Sequence, residues 1–433
     1  PEGHPYNWQV IGSLEDLQNA SLQDVKDFFN SWYVPNNVTL TIAGDFDVEQ
    51  TKKWIHKYFD EIPAGDPIAP LPVKQGKVDQ IIRKYHEDNF ARLPELSLTW
   101  PTVELYHKSS YALNVLADYL SEGKAAPLNQ VLIDEKQLTD RIRMYQYDSE
   151  LAGQFQLFIR AFSDTPLDSV LSAIEEGFAR FEQEGISQTD LDRIKAKQES
   201  QFYNQLSSVL GKGFQLAQYN IFAGDPAFIE QDINNILAVT TEDVSQAYYQ
   251  FIKAKPYVAT SFVPKGSANL VLTGSEEAEV VEEPIIPGAE ESFDASATAS
   301  YAPTPSSFDR SVEPPYGESP ETTVPDVWVT TLDNGMEIYG LSNDEVPLVQ
   351  FNMVISGGQL LESIDKPGVT NLLSQLMIRG TKNKSPKELE AAIEQLGASI
   401  SISATRENIR ISGNALSRNY EQTISLVTEM ILE

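Results

Sequence analysis

Between Lys265 and Pro325 this 433-residue chain cannot build a core, so the rest must fold on either side of that break. Glu276 to Asp294 holds eight acids and no Lys or Arg, and Pro284 to Pro325 holds eight prolines. So polar a stretch has too little apolar surface to offset the entropy of ordering it, and each proline removes a backbone donor. Residues 265–325 therefore read as an acidic, Pro-rich linker, whose functional versions are a surface strap between domains or a partner-binding tail. A shorter break from Pro63 to Pro72, with four prolines, divides what precedes it. Three folded segments result: 1–66, 67–264 and 326–433. Three is also the number expected at roughly 150 residues per domain.

Composition removes several functions. With 32 basic and 63 acidic side chains the net charge is −31, and phosphate binding needs clustered Lys and Arg. The polybasic patch of a membrane-surface protein is missing too. Zero cysteine excludes disulfides, thiolate metal sites and a cysteine nucleophile, but leaves the compartment open. No apolar run approaches the roughly 18 residues of a membrane span. The opening Pro1-Glu2-Gly3 has no signal-peptide pattern. The close, Ile424 to Glu433, is an amphipathic run without a stop signal. Both ends read as cuts through domains, and the chain is expected to be a piece of a longer protein.

The segments mix helices with strands. In the first, Ser21 and Asp24 open a helix carrying Val25, Phe28 and Phe29. Val38–Ala43 then reads as a strand ending at Gly44, and Val48–Phe59 as a closing helix. In the second, Phe155, Leu157, Ile159 and Ala161 alternate along a strand beside Arg141–Tyr147. Val170, Leu171, Ile174, Phe178 and Phe181 mark a helical face, and Ser187 with Asp190 caps another helix. Ser21, Asp24, Val25 and Phe29 reappear 219 residues later as Thr240, Asp243, Val244 and Tyr248, each set followed by a strand pattern, as in a duplicated domain. In the third, Val349, Phe351, Met353 and Ile355 alternate up to Gly357-Gly358. A helix follows over 368–377. Ser385, Pro386 and Glu388 open the next helix, and 399–404 with 409–413 forms a hairpin. The fold class expected is α+β: repeated two-layer sandwiches of antiparallel-rich sheet packed with helices. Residues 1–66 read as a back half and 326–433 as a front half of such a domain. Each alone would leave an apolar helix face and a sheet edge uncovered, to be buried within the molecule or by self-association.

A search for chemistry finds no complete active site. His4, His56, His86 and His107 are too far apart for any helix to pair two of them, and neither zincin motif, H-E-x-x-H or H-x-x-E-H, occurs. His86-Glu87-Asp88 reads as a surface charge cluster rather than a metal site. His4 and His107 read as makers of local hydrogen bonds. Nucleophile-elbow and phosphate-cradle patterns are missing, and carboxylate pairs say nothing in so acidic a chain.

Three stretches, in order, carry a resemblance. The first is Gly3 to Tyr6, Val10 to Gly12, then Asp24-Val25, and Tyr33 to Asn37 running on to Ala43-Gly44-Asp45. The second is Pro127 to Lys136. The third is Leu332 to Met336, Gly357-Gly358 and Gly368 to Thr381. Together they resemble the inverzincin zinc metallopeptidases, the pitrilysin, insulysin and mitochondrial-processing-peptidase group, as an internal fragment of a two-half member. In that family H-x-x-E-H supplies two zinc ligands and the Glu that activates water, with a further Glu ligand downstream. The resemblance puts Asn371, Ser374 and Gln375 at the His, Glu and His positions, so this copy is degenerate. It puts Ile133 and Asp140 where the family has a substrate-holding Arg and Tyr. Zinc then belongs to the parent protein, at a site outside this chain, with no cofactor, metal ligand or catalytic residue within it.

Two functions follow from the resemblance. The chain is the inert central segment of a zinc metalloendopeptidase that hydrolyses peptides or unfolded polypeptides in a clamshell cavity. Alternatively, it belongs to a non-catalytic homologue that acts as partner subunit or structural core of a complex. A bacterial periplasm or cell envelope suits an acidic, cysteine-free chain slightly better than the cytoplasm.

Overall fold

Five of the described helices begin at a Ser or Thr followed three positions later by an acid, and in three of them the start is a reciprocal cap. Ser21, Thr240 and Ser385 accept from the backbone N–H of Asp24, Asp243 and Glu388, whose carboxylates accept from the cap residue's own backbone. Thr240→Ala is expected to cost about 1 kcal/mol, read as a lower denaturant midpoint. An unchanged midpoint would mean the cap contributes nothing there.

The computed structural model describes residues 3–280, 305–317, 321 and 324–433. The acid- and proline-rich heart of the expected linker, at 281–304, 318–320 and 322–323, lies outside them. The chain divides into two compact units, one of 12–69 with 282–346, the other of 1–11, 70–281 and 347–433.

The smaller unit carries α1 (Leu14–Asn19), α2 (Leu22–Trp32) and α3 (Val48–Phe59). Val25, Phe28, Phe29 and Trp32 on α2 are exposed, so its apolar face is uncovered among the described residues. Val34 is buried beside Gly65, whose N–H donates to Asn36 Oδ1 at 2.8 Å.

In the larger unit β1 (Ile82–Asp88), β2 (Glu95–Thr102), β3 (Thr139–Asp148), β4 (Gly153–Ala161), β5 (Val258–Pro264) and β6 (Glu276–Glu277) form a six-stranded sheet. Its order is β3-β4-β2-β5-β1-β6, antiparallel except where β1 runs parallel to β5 and β6. Between the strands come α4 (Lys108–Ser121), α5 (Pro127–Asn129, continued by a π-turn to Glu135), α6 (Leu167–Glu184), α7 (Gln188–Leu206), α8 (Val209–Gln218), α9 (Ile229–Ala238) and α10 (Thr241–Phe251). Alternation works as the sequence suggests: Leu96, Leu98 and Trp100 of β2 lie opposite Ile159, Leu157 and Phe155 of β4, all buried. They pack against Val170, Ile174 and Phe181 of α6 and Val244 and Tyr248 of α10. Part of the stretch expected as linker belongs to this core. Leu270 and Leu272 are buried, Leu272 N–H donates to Ser261 Oγ at 3.2 Å, and β6 adds to the sheet edge.

In the smaller unit β7 (Trp328–Thr331) and β8 (Glu337–Gly340) make a hairpin. They pair with each other, which corrects the expectation of a strand at Val38–Ala43: that segment forms no ladder among the described residues. A strand exists only where another supplies its hydrogen bonds, and residue type alone cannot provide one.

The chain from 347 adds β9 (Leu348–Ser356), α11 (Val369–Leu376), α12 (Pro386–Gln395), β10 (Ser399–Ala404), β11 (Asn408–Leu416) and α13 (Tyr420–Leu432). Its three strands form an antiparallel sheet in the order β10-β11-β9. This layer docks on α7. Arg418 grips the buried Glu199 through two hydrogen bonds of 2.7 and 2.5 Å, and Arg193 pairs with Glu394. Gly397, at φ +58°, sits so close to Ala196 that a Cβ would come within 2.5 Å of its carbonyl oxygen.

Candidate functional site

The helix expected, from the resemblance, to match the metal motif starts at Gly368, whose φ of +90° only glycine adopts freely. Glu362 accepts from the N–H groups of Gly368 and Thr370, both at 2.7 Å, and these bonds, Gly368's first, hold its carboxyl below the usual range. A carboxylate at a helix start also suits the macrodipole.

From this start Asn371, Ser374 and Gln375 follow at positions i, i+3 and i+4, neighbours on the helix surface. Asn371 and Gln375 are exposed. Ser374 is buried, and its hydroxyl donates to the Asn371 carbonyl at 2.8 Å. Two amides and a hydroxyl already engaged with the backbone offer no imidazole, carboxylate or thiolate, so this donor set does not fit zinc. Among the described residues no three His, Asp or Glu side chains come together as a metal site.

Ile133 lies on the π-turn after α5, half-buried against the sheet core. Asp140 is exposed at the start of β3, where the register with β4 slips between Thr139 and Ile142. An alkyl chain packed inward and a lone carboxylate cannot act as a guanidinium and a phenol.

The histidines make structural contacts. His4 is buried, accepts from Tyr6 N–H at 3.0 Å and bonds the Lys74 carbonyl at 2.5 Å. His107 caps α4 by accepting from Ser109 N–H at 3.1 Å. His86 stacks on Phe262, while its neighbours Glu87 and Asp88 accept from the backbone N–H groups of Gly266, Phe90 and Ala91. His56 reaches Asp60 one turn along α3.

A feature that sequence reasoning missed is a cleft of about 620 Å³ between β2, α6, α10 and the turn before β5. Leu98, Trp100, Ile174 and Phe178 line it, with Glu182, Tyr248 and Lys253 at its side. Glu182 accepts from Tyr248 Oη at 2.6 Å and from Lys253 Nζ. Partial burial opposes the Glu182 charge, but those two donors outweigh it and keep the carboxyl below its usual range. Burial, and then the bond to Glu182, raises the Tyr248 phenol. No motif announces these residues, which come from three separated stretches.

Two family descriptions match this architecture: "Peptidase M16 inactive domain" over residues 19–198, and "Insulinase (Peptidase family M16)" over 340–433. The chain belongs to peptidase family M16. Over 207 residues it is 26% identical to the zinc protease PqqE of Helicobacter pylori, covering 47% of each chain. Over 264 residues it is 20% identical to the uncharacterized zinc protease YmxG of Bacillus subtilis, covering 61% of this chain and 63% of that one. It thus spans between about half and two-thirds of those curated relatives. The crystal structure of a protease from Helicobacter pylori has the same fold, with a TM-score of 0.54 at 23% identity over 60% of this chain and 63% of the other. The expected α+β peptidase-type fold is therefore the observed one. Zinc belongs to this M16 chain's family through relatives named as zinc proteases.

Proposed function

We propose that this chain is the non-catalytic middle of an M16 zinc metalloendopeptidase, whose zinc site lies outside residues 1–433. The observation that carries the reading is the α11 donor set: Asn371, Ser374 and Gln375 stand on one helix surface without a group that holds zinc. The match of residues 19–198 to the inactive M16 domain supports it. On this reading 1–66 is the end of the first peptidase-like domain, 67–264 the second, 265–325 the linker and 326–433 the start of a degenerate third. Ile133 and Asp140 mark a lost substrate-holding pair. The chain's role is to wall and hinge a cavity that encloses peptides or unfolded polypeptides. The setting is a bacterial periplasm or cell envelope; no helix among the described residues is long and apolar enough to cross a membrane.

The second reading, a partner subunit or structural core of a complex, is favoured by the same loss of ligands. Zinc analysis and peptide cleavage by the full-length protein separate the two. The first reading expects bound zinc and cleavage that survives substitution of Asn371, Ser374 and Gln375. Full-length protein that holds no zinc and cuts no peptide overturns it.

The helix itself can be tested. In the double variant Asn371→His, Gln375→His, imidazoles four residues apart on an exposed helix surface are expected to tighten Zn²⁺ binding about tenfold or more, worth about 1.4 kcal/mol. Ser374→Glu, by contrast, puts a carboxylate at a buried position and is expected to destabilise by about 2 kcal/mol. Titration calorimetry and thermal melts read the two effects. A Ser374→Glu variant as stable as the parent would mean that this surface already accepts a catalytic acid.

A further inference from the structure

We propose that the cleft between β2, α6, α10 and the turn before β5 binds a small amphipathic carboxylate, with an aromatic or branched apolar body and one acidic head. Its volume of about 620 Å³ lies within the range of small-molecule sites, and its floor is apolar where Leu98, Trp100, Ile174 and Phe178 meet. These are core side chains, so the cleft is a stretch of sandwich interior left open at the surface.

Two of its lining residues, Trp100 and Lys255, carry a polar group without a partner among the described residues. Trp100 is 2% exposed, and its buried indole N–H has no acceptor among those residues. Leaving such a donor unpaired is costly, so a ligand that supplies an acceptor regains that cost. Around it sit the rings of Tyr257, its centroid 5.1 Å away, and Phe178 at 6.3 Å. An entering ligand can provide both the apolar surface and the oxygen.

The second group is Lys255. The rim carries two lysines and two glutamates. Lys253 and Glu182 neutralise each other, and Tyr248 completes that cluster. Lys255 is exposed on the same turn and makes no ion pair among the described residues, so its charge is open to an acidic head. Glu175 on α6 also lines the rim, without an ion pair among the described residues, and it disfavours a second negative charge. A single carboxylate on an apolar body therefore fits better than a diacid or a phosphate. The net charge of −31 repels anions at long range, but over more than about 8 Å that repulsion is screened at physiological salt.

The test follows the indole N–H resonance of Trp100 in ¹⁵N-labelled protein, assigned by its loss in Trp100→Phe, during titration with 3-phenylpropionate. A saturable shift of that resonance is expected. Lys255→Gln should weaken the acid about fivefold, the worth of one partly exposed ion pair, and leave binding of 3-phenylpropanamide unchanged. Lys255 is a surface residue, so this variant keeps its fold even if Trp100→Phe does not. A Trp100 resonance that does not move, or moves without saturating as for a solvent-filled cleft, overturns the proposal. So does an acid whose affinity ignores Lys255→Gln.

Discussion

Phe155→Ala is expected to remove about 4 kcal/mol of stability from the larger unit. Phe155 is fully buried on β4 and sits opposite Trp100 of β2, their ring centroids 6.4 Å apart at an interplanar angle of 60°. The substitution deletes the ring's burial, leaves a hole in a close-packed interior and loses an edge-to-face contact worth about 0.5–1.5 kcal/mol. A domain's net stability is only about 5–15 kcal/mol, so the loss is a large fraction of the whole. Denaturant unfolding of the variant beside Gln156→Ala measures it. Gln156 is the next residue on the same strand but points away from the core, and its variant should stay within about 0.5 kcal/mol of the parent. Equal losses at the two positions would show that the β4 pattern does not define a core.

What the sequence disclosed and what it hid divide by range. Caps involve four consecutive residues, so Ser21, Thr240 and Ser385 were legible as helix starts. The alternation of Phe155, Leu157, Ile159 and Ala161 was legible for the same reason, since one strand buries one face. Val38–Ala43 has the same composition of alternating β-formers, yet a ladder partner is a property of the fold, and the segment forms no ladder among the described residues. Leu270 and Leu272 were hidden because two leucines in a polar, proline-broken stretch carry no periodicity, although the Ser261 hydroxyl and β1 hold that segment on the core. The donor types at Asn371, Ser374 and Gln375 could be read at once, but their significance rests on the family resemblance. The cleft was invisible because it joins side chains from residues 98–100, 174–182 and 248–257, none of them unusual alone.

Polar contacts join the layer from 347 to 433 to α7, which makes Arg418→Ala the second large expected effect. Glu199 is 5% exposed on α7, and Arg418, on the short turn before α13, supplies both of its strong donors. The fork of a guanidinium matches a carboxylate, and these bonds hold the Arg418 pKa above its usual value. Stripping the partner from a buried charge costs about 3–5 kcal/mol when both groups are enclosed. The Arg418 side chain is 57% exposed, so solvent screens part of the interaction and about 2 kcal/mol is the expected loss. Glu199→Leu with Arg418→Met should recover most of it, because an apolar pair of similar volume has no stranded charge to solvate. If the pair is what docks this layer, hydrogen exchange in the Arg418→Ala variant will rise first in β9, β10 and β11 and leave β2 and β4 protected. Uniform loss of protection across both sheets would instead mean that the seam and the six-stranded core open as one unit.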